Sequence, residues 1–277
     1  MMRTKTQRAA CLLLLITACS SDPGYKAYRD YAKAHLYDLH WVNDAGAEYR
    51  QADYPVDYES MPDFAAIPDT DERKQAFFAY LLPAIEHRNA VNRERALILG
   101  GIALRLEQDM PLTRPHQEFL ASMRRYYKVP DTLSNGEALP ILERRLGPLP
   151  ASLVLAQAAI ESGWGRSRFA RDANNLFGQW CYTAGCGLVP RNRRAGATHE
   201  VRAFESIEAA IDAYYRNLNT NPVYKPVRDL RLAAAELPSG LELAAGLERY
   251  SELGDAYIEK VRRFIRSNDL ESVTGEG

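Results

Sequence analysis

The chain has 277 residues, of which 46% are hydrophobic and 26% charged, an ordinary composition for a globular protein. This length allows one large domain, or one domain with a helical extension. The formal net charge of −1 argues against a protein that binds polyanions, so no nucleic-acid partner is expected.

The first nineteen residues have the pattern of a secretory signal. Three basic residues precede an apolar run over residues 9–16, and small residues follow up to Cys19. The sequence Ile16-Thr-Ala-Cys19 resembles the bacterial lipoprotein box, in which the chain is cleaved before the cysteine and the cysteine is acylated. The resemblance implies a signal peptide over residues 1–18 and a membrane anchor through lipid on Cys19. Because Ser20 follows rather than aspartate, it also implies an outer-membrane lipoprotein that faces the periplasm. The alternatives are a plain cleaved signal with an incidental cysteine, or an uncleaved anchor.

Residues 19–70 are predicted to form a lipidated N-terminus and a tether. This segment is rich in tyrosine and contains four prolines, which favour extended backbone in its later part. Its expected role is to hold the rest of the chain away from the membrane. No segment after residue 20 is long and apolar enough to span a bilayer.

Two helical segments are predicted next, over residues 71–109 and 114–128. An aspartate or threonine at positions 69–70 is expected to cap the first helix. A break in that helix is expected near Asn89 or at Gly100-Gly101. Apolar side chains recur at helical spacing in both segments, which indicates a scaffold role.

The following predicted helix carries the first candidate for chemistry. It begins at Pro150 and ends near Ser162, with Gly163 as a left-handed cap. Glu161 therefore lies at the negative end of the helix dipole, and this position and its apolar neighbours should raise its pKa. A glutamate that keeps its proton near neutral pH suits the general acid of glycoside cleavage. Trp164 could supply an apolar wall and a face for stacking a sugar ring. The alternative is a solvated glutamate at the end of a glycine-capped helix.

Residues 174–201 show no helical period and are rich in aromatic residues, glycine and arginine, which predicts a short hairpin or an irregular lobe. Cys181 and Cys186 lie in this lobe, and in an oxidising compartment they are expected to form a disulfide. The alternatives are a zinc site with His199, for which the ligands are too few, and a Cys–His nucleophilic pair. No metal or organic cofactor is implied. Helices are predicted to return over residues 207–218 and from residue 241 to residue 265.

Several motifs resemble those of one known family. The stretch AAIESGWGRSRFA, followed by NNLFGQW at residues 174–180, resembles the glucosaminidase-domain family (glycoside hydrolase family 73), which comprises lysozyme-like peptidoglycan hydrolases. Further motifs resemble the Bax-type branch of that family; they are DFAAIPDTDERKQAFFAYLLP, CGLVP, HEVRAFES, NLNTNPVYKPVR and YSELGDAYIEKVR. The match runs from about residue 63 to residue 265, and several separate motifs occur in the same order.

The resemblance implies a mainly α fold. A lysozyme-like α domain with a small irregular or β lobe is expected over residues 131–270, and an N-terminal helical extension that packs on it over residues 71–130. The implied activity is that of an endo-β-N-acetylglucosaminidase, with Glu161 as the catalytic acid. It would cleave the β-1,4 bond between N-acetylglucosamine and N-acetylmuramic acid in peptidoglycan glycan strands.

The resemblance also implies roles for other residues. The family's tyrosine after the lobe maps onto Tyr214, with Tyr215 as an alternative, and it would position or polarise the N-acetyl group or a water molecule. The expected substrate-binding residues lie around the start of the lobe and include the loop that borders the cleft; they are Trp164, Asn174, Asn175, Phe177, Trp180 and Tyr215.

The second catalytic group is less well defined by the sequence. Many glycosidases place two carboxyl groups across the scissile bond. Glu200 is the only acid between Asp172 and Glu205, which makes it the candidate base. The alternative is that the 2-acetamido group of the substrate acts as the second catalytic group.

Three alternatives to the main functional hypothesis remain. They are a muramidase, a lytic transglycosylase and a wall-binding lipoprotein without activity. The transglycosylase pattern normally continues into a Gly-Leu-Met-Gln segment, which is absent from this sequence, whereas NNLFG is present.

Arginine is enriched around the candidate site. Residues 161–202 contain seven arginines and three acidic residues, a local charge of about +4 in a chain near neutrality. A basic rim would favour peptidoglycan, whose stem peptides and lactyl groups are anionic. The alternative is that these arginines are solvated loop residues without a partner.

Overall fold

The structure, a computed structural model, describes residues 61–276. The predicted signal peptide, Cys19 and most of the predicted tether lie outside the described residues. Within the described range the chain is mainly helical with one small sheet, which confirms the predicted fold class. None of the helices in this range combines the length and the apolar character needed to cross a membrane.

The described residues form ten α-helices, three short strands and three 3-10 turns. The helices are α1 (Thr70–Glu107), α2 (Arg114–Tyr126), α3 (Asn135–Arg145), α4 (Ala151–Ser162), α5 (Arg168–Ala173), α6 (Ile207–Thr220), α7 (Lys225–Ala233), α8 (Gly240–Leu243), α9 (Asp255–Ser267) and α10 (Leu270–Val273). The strands are β1 (Trp180–Cys181), β2 (Gly187–Leu188) and β3 (Glu200–Arg202), and the 3-10 turns are Phe64–Ala66, Pro222–Tyr224 and Ala244–Tyr250.

Helix α1 is continuous, so the prediction of a break within it is wrong. Asn89 is buried, but its side chain satisfies both polar groups of Leu149: Nδ2 donates to the carbonyl at 2.8 Å and Oδ1 accepts from the N–H at 3.0 Å. Gly100 and Gly101 are buried within the helix, where packing outweighs the low helix propensity of glycine. Asp69 caps the helix, as predicted, by accepting hydrogen bonds from the first turn.

Helix α4 is buried on nearly all sides and forms the centre of the domain. It ends as predicted, with Gly163 in the left-handed region at φ 59° and ψ 47°. Trp164 and Gly165 also have positive φ angles, of 63° and 71°. A Cβ atom on Gly165 would lie 2.7 Å from the ring of Phe64, so close packing requires glycine there. After this turn the half-buried ring of Trp164 packs against the core.

Two hydrophobic clusters share helix α1. The N-terminal half of α1 packs with α4, α6 and α9, and its C-terminal half packs with α2 and α3. Helix α3 was not predicted, although Ser134 and Glu137 form a capping box at its start. Helix α7 was also not predicted. The division of the chain into residues 71–130 and 131–270 stays a prediction.

The lobe contains an antiparallel sheet in the order β1-β3-β2. Val201 in the central strand lies opposite Trp180 on one side and Leu188 on the other. Cys181 and Cys186 form the predicted disulfide, which closes the turn between β1 and β2. The lobe therefore has a fixed shape although its strands are only two or three residues long.

Candidate active site

Glu161 is the penultimate residue of α4 and is partly buried where this helix meets the lobe and α9. Burial raises the pKa of its carboxyl above the ordinary glutamate value. A hydrogen bond from Tyr257 and the charge of Lys260 oppose this rise in part. The net effect is a pKa above the ordinary glutamate value, so Glu161 keeps its proton to a higher pH than a solvated glutamate does.

A chain of buried hydrogen bonds leads to Glu161. The Tyr214 hydroxyl donates to Oε1 of Gln157 at 2.5 Å, and Nε2 of Gln157 donates to the Tyr257 hydroxyl oxygen at 3.0 Å. The Tyr257 hydroxyl in turn donates to Oε1 of Glu161 at 2.7 Å. The side-chain amide of Gln157 has one accepting and one donating end. Because its oxygen accepts from Tyr214, its nitrogen donates to Tyr257, whose hydroxyl then donates to Glu161. These three residues act together, and they are called the tyrosine relay below.

The tyrosine relay determines which oxygen of Glu161 can carry a proton. Oε1 accepts the hydrogen bond of Tyr257, so the proton of the acid belongs on Oε2. Oε2 faces Gly178, where an added Cβ atom would lie 3.7 Å away. Gly178 has φ 65°, which favours glycine, and its lack of a side chain leaves space beside Oε2.

Aromatic side chains line the surroundings of Glu161. The rings of Tyr250 and Tyr257 are stacked with centroids 5.4 Å apart, and Tyr224 lies 5.9 Å from Tyr250. Phe177 stacks on Tyr214 at 4.1 Å, and its carbonyl accepts a hydrogen bond from the Tyr250 hydroxyl at 3.0 Å. This packing connects the lobe to the helices that support the acid.

The loop before β1 is held by its two asparagines, which were predicted to border the cleft. Asn174 has φ 53° and its side chain donates to the carbonyl of Phe204 at 3.1 Å. Asn175 is buried; it donates to the carbonyls of Gln179 and Arg202 and accepts from the Gln179 N–H. The contacts give both residues a role in setting the course of the loop past Glu161.

Trp164 is half-buried and packs against aromatic side chains of α1 and α9. Its ring centroid lies 5.8 Å from that of Phe77, 5.4 Å from that of Phe78 and 5.1 Å from that of Phe264. These contacts join α1 and α9 to the turn after Glu161. They give Trp164 a packing role, and its part in stacking on a sugar ring stays a prediction.

The two candidate tyrosines of α6 are fully buried. Tyr214 reaches Glu161 only through Gln157 and Tyr257, so its position supports an indirect, positioning role. The Tyr215 hydroxyl donates to Oδ1 of Asn89 at 2.9 Å, which ties α6 to α1. Neither burial nor contacts favour the predicted role of direct contact with a substrate or a water molecule.

Glu200, the candidate base, is held within the lobe. Its oxygens accept hydrogen bonds from the backbone N–H groups of Gly185 at 3.1 Å and Gly187 at 2.8 Å. These bonds lower the pKa of the Glu200 carboxyl, so it is ionised near neutral pH. They give Glu200 a structural role in the disulfide loop, and its part as a base stays a prediction.

Trp180 is exposed over 57% of its surface and stacks on the His199 ring at 4.2 Å. Its exposed ring can accept a sugar ring, and its role in substrate binding stays a prediction. His199 is thus engaged with Trp180, and Cys181 and Cys186 are engaged with each other. Neither the zinc site nor the Cys–His pair is formed.

The sequence reasoning missed the residues that contact or support Glu161 most directly. Tyr257 and Tyr250 lie in the motif YSELGDAYIEKVR, and Tyr224 lies in NLNTNPVYKPVR. Gln157 precedes Glu161 by four residues, which places both on one face of α4. The signal available in the sequence was that Gln157 is the only polar residue in the apolar stretch 153–160.

The fold is a mainly helical domain with a small sheet lobe, and a glutamate with a raised pKa lies at the end of a helix beside that lobe. This arrangement fits a glycosidase-type protein. The family model described as "Mannosyl-glycoprotein endo-beta-N-acetylglucosaminidase" (Glucosaminidase) matches residues 137–270. Protein bax of Escherichia coli (strain K12) is 33% identical to this chain over 205 residues, which cover 72% of this chain and 70% of that protein. The chain therefore belongs to the glucosaminidase-domain family, as its motifs indicated. No solved structure matches it.

The raised pKa of Glu161 has a consequence for stability that does not depend on any activity. Because the pKa is higher in the folded than in the unfolded chain, ionisation of Glu161 costs folding stability once the pH exceeds the unfolded value. We expect Glu161→Gln to stabilise the protein by about 1 kcal/mol at pH 8, a scale common for replacements at strained active sites. This gain should vanish below the ordinary glutamate pKa, where both forms are neutral.

Urea unfolding at pH 4 and pH 8 measures this difference. Glu205→Gln, at an exposed position, is the matched control and should change stability little at either pH. A Glu161→Gln protein that is less stable than wild type at pH 8 would contradict the assigned environment.

Proposed function

We propose that this protein is an endo-β-N-acetylglucosaminidase that cleaves the β-1,4 bond between N-acetylglucosamine and N-acetylmuramic acid in peptidoglycan. The family places the chain among glycosidase-type enzymes related to peptidoglycan. The observation that carries the proposal is the hydrogen bond from Tyr257 to Oε1 of Glu161. It leaves Oε2 as the proton-bearing oxygen, beside the space at Gly178.

In the proposed reaction Glu161 first acts as the general acid. The Oε2 proton moves to the glycosidic oxygen as the bond between that oxygen and the anomeric carbon breaks. The carboxylate that results keeps the hydrogen bond from Tyr257, which stabilises its charge. The same carboxylate then accepts a proton from the water that adds to the anomeric carbon, and this restores the acid.

The contacts of Glu200 favour the 2-acetamido group of the substrate as the second catalytic group. Both carboxylate oxygens of Glu200 are bonded to backbone N–H groups of the disulfide loop. The acetamido carbonyl oxygen would attack the anomeric carbon as the leaving group departs, and water would later open the resulting ring. In this scheme a single protein carboxyl group, that of Glu161, is sufficient.

Digestion of purified peptidoglycan, followed by mass spectrometry of the new sugar ends, tests the proposal. Wild type should release reducing N-acetylglucosamine ends, and Glu161→Gln should lower the rate by about 100-fold or more. Glu200→Gln should retain most of the activity, because the glutamine side chain keeps one carbonyl oxygen that can accept a hydrogen bond from the backbone of the disulfide loop.

Reducing muramic ends would identify a muramidase instead, and anhydro-muramic ends a lytic transglycosylase. Absence of digestion by wild type would favour a wall-binding protein without activity. Full activity of the Glu161→Gln protein would refute the assigned acid.

Tyr257→Phe tests the tyrosine relay. The Tyr257 hydrogen bond lowers the Glu161 pKa, so its removal should raise that pKa and move the alkaline limb of the pH profile of kcat/KM to higher pH. The maximal rate should fall about tenfold, the scale of one lost hydrogen bond to a charged group.

Tyr215→Phe is the matched control for this substitution. It also removes one buried tyrosine hydroxyl, but that hydroxyl bonds to Asn89 and not to the acid. Tyr215→Phe should lower the stability of the fold and leave the alkaline limb of the kcat/KM profile at the wild-type pH. The relay would be rejected if the limb of Tyr257→Phe stayed at the wild-type pH or moved to lower pH.

We further propose that the protein is a lipoprotein of the outer membrane, anchored through Cys19 and facing the periplasm. The support is the sequence alone, namely the apolar run over residues 9–16 and the lipoprotein-like box that follows it. Cys19→Ala should shift the protein from the membrane fraction to the soluble fraction or leave its signal peptide uncleaved. An unchanged distribution with normal cleavage would exclude lipid on Cys19.

A further inference from the structure

A basic groove lies between helix α5 and the segment that follows strand β2. It has a volume of about 570 Å³, which lies in the range of small-molecule and peptide sites. Arg168 and Arg171 line it from α5, together with Asp172, and Arg191 lines it from the opposite side. Three guanidinium groups therefore share this groove with one carboxylate.

The charged side chains of the groove form no ion pairs with one another or with other described residues. Among residues 61–276, no ion pair joins these three arginines to an acid, and Asp172 forms no ion pair with a base. Arg171 and Arg191 are exposed. An excess of positive charge is thus presented to whatever enters the groove.

Arg168 differs from the other two arginines, because it holds the groove together. Its guanidinium donates to the carbonyl of Val189 at 2.9 Å and lies over the ring of Phe169 at 4.8 Å. The hydrogen bond to Val189 links α5 to the segment after β2. Arg171 and Arg191 remain available to a ligand.

The groove also adjoins the loop that passes Glu161. Asn174 caps the C-terminal end of α5 and begins the loop that continues to Gly178, beside Oε2 of Glu161. A ligand in the groove and a glycan at Glu161 would therefore contact neighbouring parts of one lobe.

We infer that this groove binds the carboxylates of a peptidoglycan stem peptide, a conclusion that rests on the proposed function. Stem peptides carry several separate carboxylates, for which guanidinium groups are well-matched partners. They also carry a free amine on the diamino acid, which Asp172 can receive. One acid among three arginines suits such a mixed ligand better than a uniform polyanion. The groove would thus direct the enzyme to glycan that bears peptides.

Calorimetric titration of the full-length protein with free stem tetrapeptide tests this inference. The probe is compared with the same peptide after amidation of its carboxylates, and with anionic phosphatidylglycerol vesicles. We expect the acid peptide to bind at least about tenfold more tightly than the amidated one, and to bind more weakly as salt is raised. The Arg171→Gln/Arg191→Gln double variant should lose about tenfold in affinity for the acid peptide.

Arg125→Gln, at an exposed position on α2, is the matched control and should bind the peptide as wild type does. Thermal melting checks that the double variant is folded, which the exposure of both arginines favours. Equal affinity for acid and amidated peptide, no detectable binding, or unchanged affinity in the double variant would each overturn the inference. If the double variant lost the binding of vesicles but not of the peptide, the inference would also be overturned, and the groove would instead be a site that binds the membrane surface.

Failure of this inference can be distinguished from failure of the proposed function. A protein that cleaves glycan but binds no stem peptide refutes the groove alone. A protein that binds the peptide through Arg171 and Arg191 but cleaves no glycan supports the groove and refutes the activity.

Discussion

The hydrogen bond between Tyr257 and Glu161 is the interaction on which the rest of the site depends. A carboxyl group at the C-terminal end of a buried helix is unfavourable when ionised, because both desolvation and the helix dipole oppose the charge. The tyrosine hydroxyl does not remove this effect; it orients the group. One oxygen is occupied and the other is left to carry the proton.

The fold serves this interaction by bringing three helices together. Gln157 and Glu161 come from α4, Tyr214 from α6 and Tyr257 from α9, and all of these helices pack in one cluster with the N-terminal half of α1. The turn at Gly163 reverses the chain immediately after the acid, and the ring of Trp164 fixes that turn among phenylalanines. The acid therefore sits on a rigid support, as positioning of a proton donor requires.

The sequence could predict the features that are local. The end of α4 at Gly163, the position of Glu161 and the pairing of Cys181 with Cys186 all follow from short spacings along the chain. It could not predict Tyr257 as the partner of Glu161, because 96 positions separate them and only the tertiary fold joins them. The same limit applies to the packing of Trp164 between α1 and α9, which only the tertiary fold shows. Asn89 shows the converse, since a polar residue that suggests a helix break is instead satisfied by the distant backbone of Leu149.

Glu161 is an acid with a raised pKa that is oriented by the hydrogen bond from Tyr257. A carboxyl-carbon NMR titration of the full-length protein, labelled at glutamate and assigned by comparison with Glu161→Gln, measures its pKa directly. We expect a pKa above the ordinary glutamate value of 4.5 in wild type, and a higher one still in Tyr257→Phe. A wild-type pKa at or below 4.5, or one that falls when the Tyr257 hydroxyl is removed, would contradict it.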